Sequence, residues 1–531
     1  MSTTPKAPTE FSSSVPPLVA PDIIQPEAIP TGTSAAQDVP SNNGPLPVVP
    51  ERLPSDQVRI SVVRAIAAWG FGAAFFNVTA GAIYAAFVRS LSTSDFLFGA
   101  LASALPLTSF LQVMAARMVE RSGRRKRLMV VCGLIGRSLW LVSALLPLLW
   151  TRFPHSFSKS GTFTLILICV ATSGVFQAFT GPAFFSWMAD LVPERVRPAF
   201  FARRMQVGTL TALLVSILAG LIADNFQKVS WITQHFQPLE IYCFILAIAA
   251  VCGVIDIAMF IGVKEPPSSS RLDENGAFLP AEEIVQPPLL ASLREPLRDR
   301  GVRNFLLFVS LLMAGYGIQG AFLWLHALEY LHLSKTVTGI VVNGMPLLGI
   351  ACGMPFWSSV IKRYGTRPVM RFCSVGIIFI PFGWLTAQPN ECLNLAFVTF
   401  ISGFVAGAID LSNQNLVTGL APHIPRSTLA ALFSIAAGLS MGIASLLGGR
   451  LAEFLHGMHE HFLGLTLINY HVLFLCSLLL RIINAAVVAP RLREPDAAST
   501  LETVKEVIPE LAQSFANLLA RPIKVRGESE K

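Results

Sequence analysis

The letters able to do chemistry are the few polar ones set inside long apolar runs, because each costs free energy in hydrocarbon unless it is paired or faces a cavity. Arg137 lies ten residues beyond Arg127, or ~15 Å along a helix, near the middle of a hydrocarbon core of roughly 30 Å. It could bind an anionic group or partner a coupling carboxylate; as a structural residue it would hydrogen-bond a neighbouring helix or snorkel. Asp410 lies twelve residues before Pro422, ~18 Å by helical rise, so it is equally deep. Gly403, Gly407, Asp410 and Gln414 share one helical face, with Asn413 and Asn415 beside it. Glycines there let a helix or a solute come close. A carboxyl at that depth suits a proton-binding switch; a fixed ion pair or a packing residue is the plainer alternative.

Asn77 and Gln319 are 242 residues apart and, with Gln177, could form walls of one polar cavity, with Tyr84, Tyr316, Trp324 and His326 as further candidates. Interhelical amide bonds are the plainer reading, since they are common in membrane bundles. Asp256 is a weaker candidate, ~12 Å by helical rise from Lys264, expected to pair locally. His456, His459, Glu460 and His461 could collect a divalent metal, but nothing in the sequence fixes their geometry and no metal site is assigned. No phosphate-binding Gly-rich loop, Gly-x-Ser-x-Gly elbow or His-Glu-x-x-His helix is present, so neither ATP-driven chemistry nor hydrolysis has a motif behind it. The chain is not read as an enzyme.

The elements that hold these residues follow from composition. In 531 residues, 53% are hydrophobic and 14% charged, with a mean hydropathy of +0.59; a soluble domain carries about 25% charged residues. Apolar blocks of twenty or more residues predict spans at about 60–88, 95–117, 127–150, 161–189, 203–225, 239–263, 304–329, 336–361, 368–388, 393–418, 427–452 and 469–490. Residues 1–56 are rich in Pro, Ser and Thr and read as a disordered tail. Leu501, Val504, Ile508, Leu511, Phe515 and Leu518 recur at helical spacing, so the 496–531 tail is expected to form an amphipathic helix. The eight cysteines are scattered singly, with no Cys-x-x-Cys, and read as small buried hydrophobes.

Lys and Arg crowd one set of loops: Arg59, Arg64, the 117–127 turn, Arg195, Arg197, Arg203, Arg204, the 264–303 connection, Lys362, Arg363, Arg367, Arg371 and Arg426. The other set holds little beyond Arg89, Arg152, Lys159, Lys228 and Lys335. This bias predicts that both termini and the central loop are cytoplasmic. The formal net charge of +8 therefore reports topology and lipid headgroups, not nucleic acid.

The hardest of these turns, Ala116 to Arg127, has an echo at Ser358 to Arg367, with Gly123 and Gly365 242 residues apart. Lys264-Glu265-Pro266 and Arg493-Glu494-Pro495 likewise close each half. Two six-span halves of one orientation are a parallel repeat. The first turn resembles the signature loop of the major facilitator superfamily, Gly-x-x-x-Asp-Arg-x-Gly-Arg-Arg. Ala116 replaces the first Gly and Glu120 the Asp, while Arg121, Gly123, Arg124 and Arg125 match. The second copy has Lys362 at the acidic position, followed by Arg363, Gly365 and Arg367.

The resemblance implies an all-α membrane protein of twelve transmembrane helices in two six-helix halves, 57–263 and 304–495, joined by the 264–303 loop. It also implies alternating access, with Asp190 or Glu194 meeting Arg124 or Arg125 when the cytoplasmic side is shut, and Arg204 alongside. The expected function is secondary transport of a small organic solute, with proton coupling through Asp410 as one option. An uncoupled facilitator and a transporter-like sensor or scaffold are the alternatives. The expected cavity residues are Asn77, Arg137, Gln177, Gln319, Asp410 and Gln414. No cofactor or metal is called for. The expected partners are the solute, protons and membrane lipid around a monomer in the plasma (cell inner) membrane.

Overall fold

The computed structural model describes residues 54–92, 94–153, 155, 158–193, 196–266, 288, 293–389, 392–421, 424, 426–462, 465–492, 506, 507 and 509. The expected tail before Pro54, most of the central loop and the six tail positions from Leu501 to Leu518 lie outside them. Twelve helices are long and apolar enough to cross a membrane: Asp56–Thr79, Asp95–Ser122, Arg125–Arg152, Lys159–Leu191, Ala199–Lys228, Pro238–Gly262, Arg300–Tyr330, Lys335–Tyr364, Thr366–Leu385, Cys392–Val417, Thr428–Phe454 and Asn469–Arg491. They correspond in order to the twelve expected runs. We call them the first to twelfth spans.

The first six spans form one bundle, with the third packed on the fourth and sixth and the first on the fifth and sixth. The last six form a second, with the eighth on the tenth and the seventh on the eleventh and twelfth. Large apolar side chains such as Leu210, Ile248, Phe379 and Phe397 stay exposed on the outside, as lipid-facing surfaces must. Because lipid is as apolar as leucine, helices here associate by close packing more than by hydrophobic burial. Gly403 shows how: a Cβ there would lie 1.9 Å from the Pro346 carbonyl oxygen, so the tenth span sits backbone to backbone on the eighth.

The first and seventh spans are each interrupted where the sequence predicts unbroken runs. Helix Ser55–Thr79 ends at Ala80 and a second helix, Ala82–Leu91, starts beyond it. Gly81, at φ −106° and ψ −166°, makes the break, and a Cβ on it would lie 2.5 Å from the Asn77 carbonyl oxygen. In the seventh span, Arg300–Gly320 gives way at Ala321 to Phe322–Leu325 and then to a π-helical turn, His326–Tyr330.

At one end of the molecule lie the basic turns. Gly123 closes the second span at φ 64°, a left-handed conformation that costs other residues energy. At the opposite end the eleventh and twelfth spans are joined through a short hairpin, β1 (His459–Phe462) pairing antiparallel with β2 (Leu465–Ile468). This places the histidine-rich segment on a strand with His459 opposite Ile468 and His461 opposite Thr466. Among the described residues no group of three or more His, Cys, Asp or Glu side chains is gathered to hold a metal ion.

Candidate functional site

A cavity of about 490 Å³ lies between the two bundles, against both broken spans. Seven aromatic rings line it: Phe75, Phe76, Tyr84, Phe98, Trp140, Tyr316 and Trp324. Gly81 and Gly320, the residues at the two breaks, are on its wall, as are Thr79 and Ser445. The hydroxyls of Thr79 and Ser445 are already used, donating to the carbonyls of Phe75 (2.8 Å) and Gly317 (2.9 Å). Among the described residues, no Lys, Arg, Asp, Glu or His lines it. A smaller pocket of about 230 Å³ adjoins it, sharing Phe76 and Ala80 and reaching Asn77, Gly208 and Asn343.

Of the residues expected in the cavity, Asn77 therefore lines the adjoining pocket, and Arg137, Gln177 and Gln319 are placed off the main wall. Arg137 is 5% exposed and lies behind the wall, its guanidinium 4.0 Å from the Phe75 ring centroid and 4.4 Å from that of Phe76. Its charge is met by Asp256 on the sixth span at 3.4 Å, and it donates to Gln177 Oε1 at 3.3 Å. Gln177 in turn donates to Ser173 Oγ at 2.8 Å. The local pairing expected of Asp256 thus explains Arg137 as well. Gln319 is 2% exposed, with no partner for Oε1 among the described residues.

The second half holds a counterpart that sequence reasoning missed. Arg481, on the twelfth span, is 1% exposed and sits behind the wall residue Tyr316, 4.5 Å from its ring centroid and interacting with its hydroxyl. It donates to Ser477 Oγ (3.2 Å) and the Ile377 carbonyl (3.0 Å). The signal was available: like Arg137, it is an arginine deep in an apolar run.

Asp410 and Gln414 are exposed, whereas Gly403 and Gly407 one and two turns earlier on the same face are buried against the eighth span. Their glycines admit a helix, not a solute. Asp410 is within electrostatic reach of Tyr316 on the cavity wall. Among the described residues it makes no ion pair or hydrogen bond.

Apart from Ser109 Oγ, which donates to the Ser434 carbonyl at 3.3 Å further along the second span, the polar bonds between described residues of the two halves gather at the hairpin end. Arg89 of the first half bonds both oxygens of Glu329, with Nη2 3.0 Å from Oε2, and pairs with the fully buried Asp95 at 2.9 Å. Tyr470 accepts from Arg89 (2.8 Å) and lies within donating distance of Asp95 (3.1 Å) and Glu329 (3.0 Å). Asn469 donates to Asp95 at 2.9 Å. Glu453 accepts from the Asp95 and Phe96 amides, and Asp224 from those of Lys335 and Thr336. Backbones touch beneath this lock: a Cβ on Gly99 would lie 2.7 Å from Gly449 Cα. Next to it, Ile468 N–H donates to His471 Nδ1 (3.0 Å), so the other ring nitrogen of a neutral His471 carries its proton toward His326 Nε2, 3.1 Å away.

At the basic end the bonds seen between described residues stay inside each half. Arg125 is fully buried, bonded to Asp190, to the carbonyls of Ser186 (3.1 Å) and Pro266 (2.7 Å), with Glu265 at 3.8 Å. Lys126 donates from Nζ to the Ile261 and Val263 carbonyls. The turn therefore knots the third, fourth and sixth spans of one bundle. Arg121 and Arg124 are exposed, and Glu120 interacts with Arg117 on its own helix. Arg204, expected in the gate, is instead stacked between Trp69 (4.0 Å) and Phe184 (4.4 Å) inside the first half. Glu194 lies outside the described residues. In the second half Lys362 is exposed, Arg367 is half-buried, and Arg363 pairs at 3.2 Å with Glu506 of the C-terminal segment, which Tyr364 also bonds.

Solved structures share this fold at low identity. The nucleoside transporter NupG matches with a TM-score of 0.59 and 12% identity, over 82% of this chain and 99% of NupG. A bacterial homolog of the human lysosomal transporter Spinster, inward-facing and occupied, matches at 0.59 and 12%, over 84% and 100%. The xylose transporter XylE from E. coli, in an inward open conformation, matches at 0.58 and 16%, over 84% and 99%. No curated protein matches by sequence. The family model of the Major Facilitator Superfamily matches residues 64–445 and, again, 305–523. With its repeat, its twelve spans and its cavity between two bundles, the chain belongs to the Major Facilitator Superfamily.

Proposed function

We propose that this membrane transporter of small solutes is a secondary transporter working by alternating access. Its polar cross-half bonds gather at one end, and this observation carries the reading. The charge bias of the loops assigns the basic end to the cytoplasm, so the state seen is closed outside and open within. That assignment puts both termini in the cytoplasm.

Proton coupling runs through Asp410. The support is its depth, its exposure and the lack of a partner among the described residues. A carboxyl so placed gains or loses a proton as its surroundings open and close. Reconstituted in vesicles, the protein is expected to accumulate its solute when a proton gradient is imposed. Asp410→Asn abolishes accumulation while leaving exchange of labelled for unlabelled solute intact. Accumulation by Asp410→Asn equal to wild type overturns the coupling role, and no accumulation by wild type under any gradient makes the protein a facilitator.

A further inference from the structure

We infer that the central cavity takes an uncharged, flat, largely apolar solute carrying a hydrogen-bond acceptor, and rejects polyols and organic ions. This rests on the reading of that cavity as the solute site. The wall is aromatic, and among the described residues it presents no charged side chain. The two nearby guanidiniums are shielded rather than offered. Arg137 is covered by Phe75 and neutralised by Asp256, and Arg481 lies behind Tyr316. An anion would have to displace a ring to reach either. A cation entering the cavity would face the other side of a ring that Arg481 already occupies, and no carboxylate among the described residues pairs with Arg481. The arginines thus disfavour a second positive charge while leaving ring faces free for stacking.

Hydrogen-bond supply narrows the class further. Thr79 and Ser445 spend their protons on their own backbones. Besides the Tyr316 hydroxyl and the Trp324 indole N–H, the donors on the wall are the Tyr84 hydroxyl and the Trp140 indole N–H, both covered and without a partner among the described residues, on rings whose centroids are 5.4 Å apart. A buried donor left unmatched is costly, so a solute acceptor placed at this pair gains affinity from both. Each hydroxyl of a polyol would meet the opposite fate, losing water with nothing to replace it, at roughly tenfold or more in affinity. The volume of about 490 Å³ suits a molecule of two or three fused rings.

The test uses the full chain in lipid nanodiscs, with empty nanodiscs as reference, and a matched set of probes. These are 2-acetylnaphthalene, naphthalene, 2-naphthoate, 2-naphthylmethylammonium and D-xylose, with binding read by tryptophan quenching and by calorimetry. Gly320→Trp fills the cavity, since a Cβ at Gly320 meets nothing within 4 Å. The ketone is expected to bind at least tenfold tighter than the two ions and the sugar, and to be lost in Gly320→Trp. The double variant Tyr84→Phe/Trp140→Phe keeps both rings and weakens the ketone about tenfold, leaving naphthalene unchanged. Preference for an ion or for xylose at a site that Gly320→Trp blocks overturns the class while sparing the site. Binding of every probe unaffected by Gly320→Trp overturns the site itself, and an unweakened ketone in the double variant overturns the acceptor.

Discussion

At the hairpin end, Arg89 leaves its own bundle to bond Glu329, Asp95 and Tyr470, so its partners come from both halves. At the basic end, Arg125 is just as well supplied with acceptors, yet Asp190 and Ser186 belong to its own half, and Glu265 and Pro266 to the segment that leaves its sixth span. The same chemistry serves two purposes. Bonds that cross the halves must break in each cycle, and partly exposed groups such as Arg89 and Glu329 regain water when they do. The bonds of Arg125 must survive the cycle, and Arg125 is fully buried.

This contrast ranks what substitutions should do. Arg125→Leu leaves two carboxylates without their cation and should cost ~3–5 kcal/mol, the usual penalty for breaking a buried pair. The measurement is thermal unfolding in detergent, and an unchanged melting temperature would show that the knot is ornamental. Asp256→Asn strands Arg137 and approaches the same ~3–5 kcal/mol, softened by Gln177. Arg137→Met with Asp256→Leu should restore stability, since apolar replacement of a whole buried pair is often neutral; transport retained in that double variant would confirm a packing role for Arg137. Arg89→Ala acts differently, with little change in melting but a shift of about tenfold, or ~1.4 kcal/mol, toward the state open at the hairpin end. Accessibility of a cysteine at Met313 on the cavity wall to an impermeant reagent reads that shift. Glu506→Ala should do least, ~0–1 kcal/mol, because both partners of the Arg363–Glu506 pair are more than half exposed.

The spans were legible because a run of twenty apolar residues has few other uses, and the repeat was legible because Gly123 and Gly365 stand out among charges. The break at Gly81 was not, since a single glycine inside an apolar run looks like a packing site until the chain around it is seen to turn. Counting residues places Arg137 along its span but does not tell which way its side chain faces, and Phe75 stands between it and the cavity. Asp410 illustrates the same gap from the other side: its face begins packed against the eighth span and ends open. The lock at the hairpin end was hidden for a stronger reason. Asp95 meets Asn469 across 374 positions, and neither residue is unusual at the edge of its own span.

The central claim is that closure at the two ends is reciprocal. Spin labels at Arg121 and Lys362 report the basic end, and labels at Lys228 and Glu460 the hairpin end; all four side chains are exposed. Distances measured by pulsed electron resonance in wild type should be long for the first pair and short for the second. In Arg89→Ala a second population should appear with the order reversed, the first pair short and the second long. If both pairs lengthen together, or the hairpin pair lengthens while the basic pair stays as it was, the halves do not rock about the cavity and the account fails.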